Sequence, residues 1–116
     1  MKNERLLKQL ADAREEALFA MELVDRHGAA VTSDPTARRA LERACEIAGE
    51  ALRQLVEYDP EIATEYPDLP WREAIGLRTK LAHGYDSLNP GQLVGTVEHH
   101  FPDLVRQIEK ILNDNP

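Results

Sequence analysis

Between Glu4 and Arg26 the chain has neither proline nor glycine, and Leu6, Leu10, Ala13, Ala17, Met21 and Val24 recur at steps of three and four. Apolar residues at that spacing line one face of an α-helix, here about six turns long. His27-Gly28 supplies the stop, because glycine accepts the left-handed conformation that ends a helix. "VTSDPTARRA" opens the next helix, with Ser33 or Asp34 as N-cap and Pro35 at the first helical position. Ala37, Leu41, Ala44, Ala48, Leu52 and Leu55 carry it to about Glu57. "YDPEIATEYPDLP" holds Pro60, Pro67 and Pro70, so it is predicted to be a loop with one helical turn. Pro70 starts a third helix through Trp71, Ile75, Leu77 and Leu81, ending at Gly84. Asn89 caps and Pro90 starts a fourth, in which Val94, Val97, Phe101, Leu104, Ile108 and Ile111 form a heptad-like seam. Pro102 is expected to kink or restart that helix.

Strand signals are nearly absent. Four amphipathic helices with short connections bury their apolar stripes against one another most simply as an antiparallel, up-and-down four-helix bundle. The expectation is therefore an all-α fold, with residues 1–116 as a single domain. Aromatic residues make up only 5% of the chain. The core should be thin, and a homodimer that covers a remaining apolar face is expected.

Composition narrows the function. At 42% hydrophobic and 30% charged residues the balance is that of a globular domain. No apolar run approaches the roughly 20 residues that span a bilayer, and "MKNERLLKQL" lacks the apolar stretch of a signal peptide, so a cytoplasmic location and no membrane contact are expected. Cys45 is the single cysteine, which leaves no intrachain disulfide and no cysteine-rich zinc site. The formal net charge is -7, so no broad phosphate-binding face is expected and any nucleic-acid site must be local. Arg38, Arg39, Arg43 and Arg53 group in one segment and Arg72, Arg78 and Lys80 in another, which reads chiefly as solvated helix faces.

The chemistry concentrates in "RTKLAHGY", residues 78 to 85. On a regular helix five steps place Arg78 and His83 roughly 140° apart, so they do not converge on one atom unless the helix unwinds at Gly84 or a second subunit brings its own pair to the same groove. Arginine offers a fixed fork of donors to a phosphate that is gaining charge. Histidine at a helix C-terminus is placed to exchange protons, and Tyr85 can stack on a base or donate from its hydroxyl. No carboxylate cluster or histidine spacing suited to a metal accompanies them, and no cofactor is expected. This set fits metal-independent RNA cleavage, with histidine moving a proton and arginine stabilising the charged transition state. By spacing alone the commoner reading of such a stretch is a capped helix end with surface charges. His99 and His100 are adjacent, point about 100° apart and read as surface residues. Trp71 reads as a core or interface anchor, Gly49 as the mark of a close helix crossing, and Glu50 as a surface charge or a neighbour of the arginines.

The stretch "LPWREAIGLRTKLAHGYDSLNPGQLVGTVEHHFPDLVRQI" resembles the signature of HepT-like proteins of the HEPN superfamily, in which Pro-Trp precedes an R-x-x-x-x-H-x-Y motif and a proline interrupts the last helix. "ARRALERACEIAGEAL", with Gly49-Glu50-Ala51, resembles the second helix of that family, and the likeness covers nearly the whole chain. The resemblance implies an all-helical dimer acting as a metal-independent endoribonuclease toxin of a type VII-like HEPN/MNT toxin-antitoxin pair. Its partner would be an MNT-type nucleotidyltransferase antitoxin. Arg78 and His83 match the catalytic positions, and Tyr85 matches the tyrosine that such an antitoxin modifies with AMP. Thr79 stands where asparagine is common, keeping a hydroxyl but losing the paired donor and acceptor of the amide. The alternative is a non-catalytic helical docking or substrate-binding partner of a nucleotidyltransferase, sharing the fold and lacking the chemistry.

Overall fold

The computed structural model describes residues 4–84 and 88–115. Among these residues every regular element is helical: α1 (Glu4–His27), a 3-10 segment (Gly28–Thr32), α2 (Pro35–Tyr58), α3 (Ile62–Glu65), α4 (Trp71–Ala82) and α5 (Pro90–Asp114). The third and fourth helices of the sequence pattern are α4 and α5. α1 packs on α2 and α5, and α4 packs on the same two helices, so the four long helices close into a ring around one core. A helix of 24 or 25 residues is about 36 Å long, which accounts for most of the 42 Å long axis.

The helix ends follow their capping chemistry. Gly28 takes φ +57°, the left-handed value that lets the chain leave α1. Asp34, rather than Ser33, caps α2, its Oδ1 accepting from the amides of Thr36 (2.9 Å) and Ala37 (3.3 Å). Asn89 and Gln92 form a reciprocal capping box at the start of α5. The proline-rich connection holds a single helical turn, α3, and is pinned at Trp71, whose indole Nε1 donates to the Tyr66 carbonyl at 2.9 Å. Trp71 is buried, as expected of an anchor.

The core is aliphatic, built from Leu6, Leu10, Leu41, Leu52, Leu55, Leu93, Leu104, Ile108 and Ile111 around Phe101. Among the described residues no polar or charged side chain is buried. Small residues take several positions that the apolar pattern gave to larger ones. On α4 the buried line is Trp71, Ala74 and Leu77, while Ile75 and Leu81 are half-buried. On α1 Ala20 and Leu23 lie deeper than Met21, and on α5 Leu93 lies deeper than Val94. α5 does not restart at Pro102 but runs as one helix from Pro90 to Asp114. Proline removes the bond to the Glu98 carbonyl, and both residues border an open groove with Met21, Val24 and Asp25, where water can take that bond's place.

Candidate functional site

α4 determines where the chemistry lies. Its backbone approaches α2 so closely that a Cβ added to Gly49 would stand 2.4 Å from the Arg78 Cβ and 2.7 Å from the Ala74 carbonyl oxygen. Any side chain at position 49 would force the two helices apart, so Gly49 marks a close crossing, as its place inside a helix suggested. The crossing sets the root of the Arg78 side chain directly over α2.

One turn of side-chain length beyond that contact, Arg78 Nε lies 3.0 Å from Glu50 Oε1, with both side chains about one third exposed. Glu50 is itself held. Arg53 donates to it from Nε (2.9 Å, to Oε1) and Nη2 (2.8 Å, to Oε2), and Gln54 Nε2 adds a bond to Oε2 at 3.0 Å. The hydrogen bonds from Arg53 are the main cause that brings the Glu50 carboxyl down to about 2, with the positive charges of Arg53 and Arg78 acting in the same direction. Arg78 and Glu50 line an open groove of about 420 Å³ together with Gln9, Asp12, Arg43 and Gln54.

His83 stands at the other end of the problem. It is the C-cap of α4, exposed, with its amide shared between the carbonyls of Thr79 (3.1 Å) and Lys80 (3.3 Å), which tightens the last turn. The chain then passes into Gly84 at φ +107°, a conformation that favours glycine. His83 is not among the residues lining the Arg78 groove. Within one chain, then, Arg78 borders the groove on the α2 side and His83 does not. Thr79 turns its hydroxyl inward along the helix, donating to the Ile75 carbonyl at 3.0 Å. Tyr85 lies outside the described residues.

The remaining cations behave as solvated faces. Arg38 pairs with Glu42, Arg43 approaches Glu46, and Arg53 bridges Glu50 and Glu57, all within α2. Arg78 differs from these α2 arginines because its carboxylate comes from another helix, as does that of Arg14 on α1, which pairs with Glu109 of α5. His99 is exposed and His100 half-exposed, and among the described residues no group of three or more His, Cys, Asp or Glu side chains stands close enough to hold a metal ion. Cys45 is buried, and burial pushes its thiol up to about 12, which suits a packing role. No helix among the described residues is long and apolar enough to cross a membrane.

Glu50 is a neighbour of the arginines, one of the two readings the sequence left open for it, and the packing of α4 on α2 decides that Arg78 is among them. The sequence did hold a signal in the neighbouring Gly49, since a helix-interior glycine that lets a second helix approach also brings that helix's side chains onto the next residue.

Comparison with known proteins places these features in a family. A family model described as ribonuclease HepT-like matches residues 7–111, which include α4 and its C-cap. A candidate RNase of Caldanaerobacter subterraneus subsp. tengcongensis is 35% identical over 79 residues, 68% of this chain and 68% of that protein. A candidate RNase of Methanocaldococcus jannaschii is 32% identical over 70% of this chain and 64% of its own length, so there the match spans less than two thirds of the relative. A ribonuclease HepT candidate of Thermococcus cleftensis is 33% identical over 67% of this chain and 68% of its own. No solved structure gives a significant match.

Proposed function

The chain belongs to the ribonuclease HepT-like family, and on that premise we propose that it is a metal-independent endoribonuclease toxin of a HEPN/MNT pair, with Arg78 and His83 as its catalytic residues. The observation that carries this reading is that the R-x-x-x-x-H stretch lies inside the matched segment while its histidine is exposed at a helix end and its arginine borders an open groove. Both side chains are accessible to a polymer, and neither is spent on the core.

The reaction needs no external reagent. The ribose 2′-oxygen attacks the adjacent phosphorus and the bond to the 5′-oxygen breaks, leaving a 2′,3′-cyclic phosphate and a 5′-hydroxyl. His83 takes the 2′-proton or delivers one to the departing oxygen. Arg78 stabilises the extra negative charge on the phosphoryl oxygens. Because five steps of a regular helix set positions 78 and 83 roughly 140° apart, the productive pair in this reading is composed across a homodimer, with α4 and α5 at the seam. Gly76 supports that arrangement, since the space above it is open to an approaching backbone.

Inhibition is assigned to Tyr85. An MNT-type nucleotidyltransferase antitoxin transfers AMP from ATP to its hydroxyl, releasing pyrophosphate. The attached phosphodiester, two residues beyond His83, then competes with RNA for the Arg78 fork.

Induced expression of the wild type beside His83→Ala tests the function. The expected result is growth arrest relieved by the substitution, with purified wild type producing cyclic-phosphate ends in the presence of EDTA. Equal growth with both proteins would favour the docking-module alternative.

A further inference from the structure

α1 and α5 run antiparallel, and a stripe of side chains on each borders the line between them. On α1 the stripe is Arg14, Leu18, Met21 and Asp25, and on α5 it is Glu98, Pro102, Val105 and Glu109. Both advance by steps of four, three and four, which keeps each stripe on one helix face. Arg14 Nε lies 2.9 Å from Glu109 Oε2 and bridges the helices at one end. Toward the other end they part around an open groove of about 640 Å³. Buried Val24 and Val97 form its floor, half-buried Met21 and Pro102 its walls, and the exposed side chains of Glu22, Asp25 and Glu98 its rim.

Three features define what fits there. The rim carries one sign of charge. Glu22 pairs with Arg26, but among the described residues no cation pairs with Asp25 or Glu98, which line the groove from opposite helices. Leu18, exposed one turn before Met21, prolongs the apolar surface toward the Arg14–Glu109 bridge. Pro102 has no N–H, so the Glu98 carbonyl is available to a donor that enters the groove.

Other occupants fit less well. Among the described residues no three carboxylates stand close enough to hold a metal ion. A second copy presenting the same face would set these carboxylates against their own equivalents. An anionic membrane surface would be repelled by them.

We propose that the α1–α5 groove docks an amphipathic helix of a partner protein, with apolar anchors on Met21, Val24 and Val97 and a lysine or arginine between Asp25 and Glu98. Leu18 to Asp25 is about two helical turns, or roughly 10 Å, so the occupant presents anchors at i, i+3 or i+4, and i+7. The anchors supply affinity. The cation supplies orientation, because it answers two like charges that the fold leaves uncompensated. The groove shares no lining residue with the one at Arg78, so docking and the proposed cleavage use separate surfaces.

The probe is a displayed library of helical peptides with leucine fixed at i, i+3 and i+7 and the flanking positions free to be lysine, arginine, glutamate or aspartate. It is selected on the full-length wild type, on Asp25→Lys/Glu98→Lys, and on Glu61→Lys/Asp68→Lys. The last pair are exposed residues of the α2–α4 connection and give the same change of net charge outside the groove. Basic flanks enriched roughly tenfold over acidic ones are expected on the wild type and on this control, with the preference reversed on the groove variant. Asp25→Asn/Glu98→Gln, which keeps the size of both side chains, should lose the basic preference without gaining an acidic one. A synthetic peptide from the wild-type selection should shift the NMR methyl signals of Met21, Val24 and Val97, and should bind Leu18→Glu roughly tenfold more weakly. No enrichment on the wild type overturns the proposal. Equal preferences on the two charge variants do so as well, since they reveal attraction to the acidic molecule as a whole. Shifts at Ile75, Leu81 and Val94 in place of the groove methyls place the peptide elsewhere and also overturn it. So does a halving of the light-scattering mass in Asp25→Lys/Glu98→Lys, which makes a second copy the occupant.

Discussion

Glu50 is the residue whose ionisation the fold exploits most. Its carboxyl falls from an ordinary value of 4.5 to about 2, because Arg53 donates two bonds to the charged form and the Arg78 charge adds to them. A depressed carboxyl stabilises the folded state above its unfolded value, and that contribution is lost as pH falls toward the folded one. The window here is pH 4.5 down to about 2. Glu50→Gln should therefore lower the melting temperature at neutral pH and flatten its fall across that window, leaving wild type and variant close together near pH 2. Melting temperatures recorded at half-unit pH steps check this, and parallel curves for the two proteins would count against it. At this scale the sequence was read well where a residue's role is local. The Asp34 cap, the Asn89 cap and the Trp71 anchor all depend on neighbours a few positions away. It leaves alternatives open where the role depends on another helix, as at Glu50, and does not reach the bond by which the Thr79 hydroxyl satisfies its own helix.

The crossing of α4 over α2 governs what the elements do together. Gly49→Ala adds a methyl group 2.4 Å from the Arg78 Cβ and 2.7 Å from a backbone oxygen, and neither obstacle is the end of a flexible side chain. Overpacking of this kind costs about 1–3 kcal/mol, while the better helix propensity of alanine returns up to about 1 kcal/mol. A net loss of stability and a displaced Arg78 are both expected, to be checked by denaturant unfolding and by cleavage rate. A variant as stable and as active as the wild type would contradict the closeness of the crossing. Helix boundaries were legible because proline, glycine and capping residues punctuate this chain. The identity of the buried face was less so, because weighting by size passes over Ala74 and Ala20, the small residues that allow close approach. Pro102 shows the converse case for a restart: its missing hydrogen bond marks a possible break in the sequence, yet the helix continues through it, with Phe101, Leu104 and Val105 buried around the proline.

The whole molecule closes its core within one chain, so the thinness inferred from few aromatics does not of itself call for a partner. Of the large exposed apolar side chains among the described residues, Leu18 at 39% and Phe19 at 44% lie on α1 and Tyr58 at 52% ends α2, and none lies on α4 or α5. What calls for a second copy in the proposed mechanism is the five-residue spacing of Arg78 and His83, which a regular helix sets roughly 140° apart. Light scattering at micromolar concentration should show twice the monomer mass. Mixing inactive Arg78→Ala with inactive His83→Ala should restore part of the cleavage, because some mixed dimers hold one intact groove. A monomer, or a mixture as inactive as its components, would remove the composite site. The bundle was visible from the spacing of apolar residues.

The contact between Gly49 and Arg78 also decides which inactive variants are useful reagents. What presses on the glycine is the Cβ, an atom that alanine keeps, so Arg78→Ala removes the guanidinium without removing the wedge that seats α4. The expected product is an intact but inactive scaffold, which makes it suited to supply the histidine half of a mixed dimer. Arg78→Gly, by contrast, would place two glycines face to face and slacken the crossing, giving a poorer subunit for that purpose.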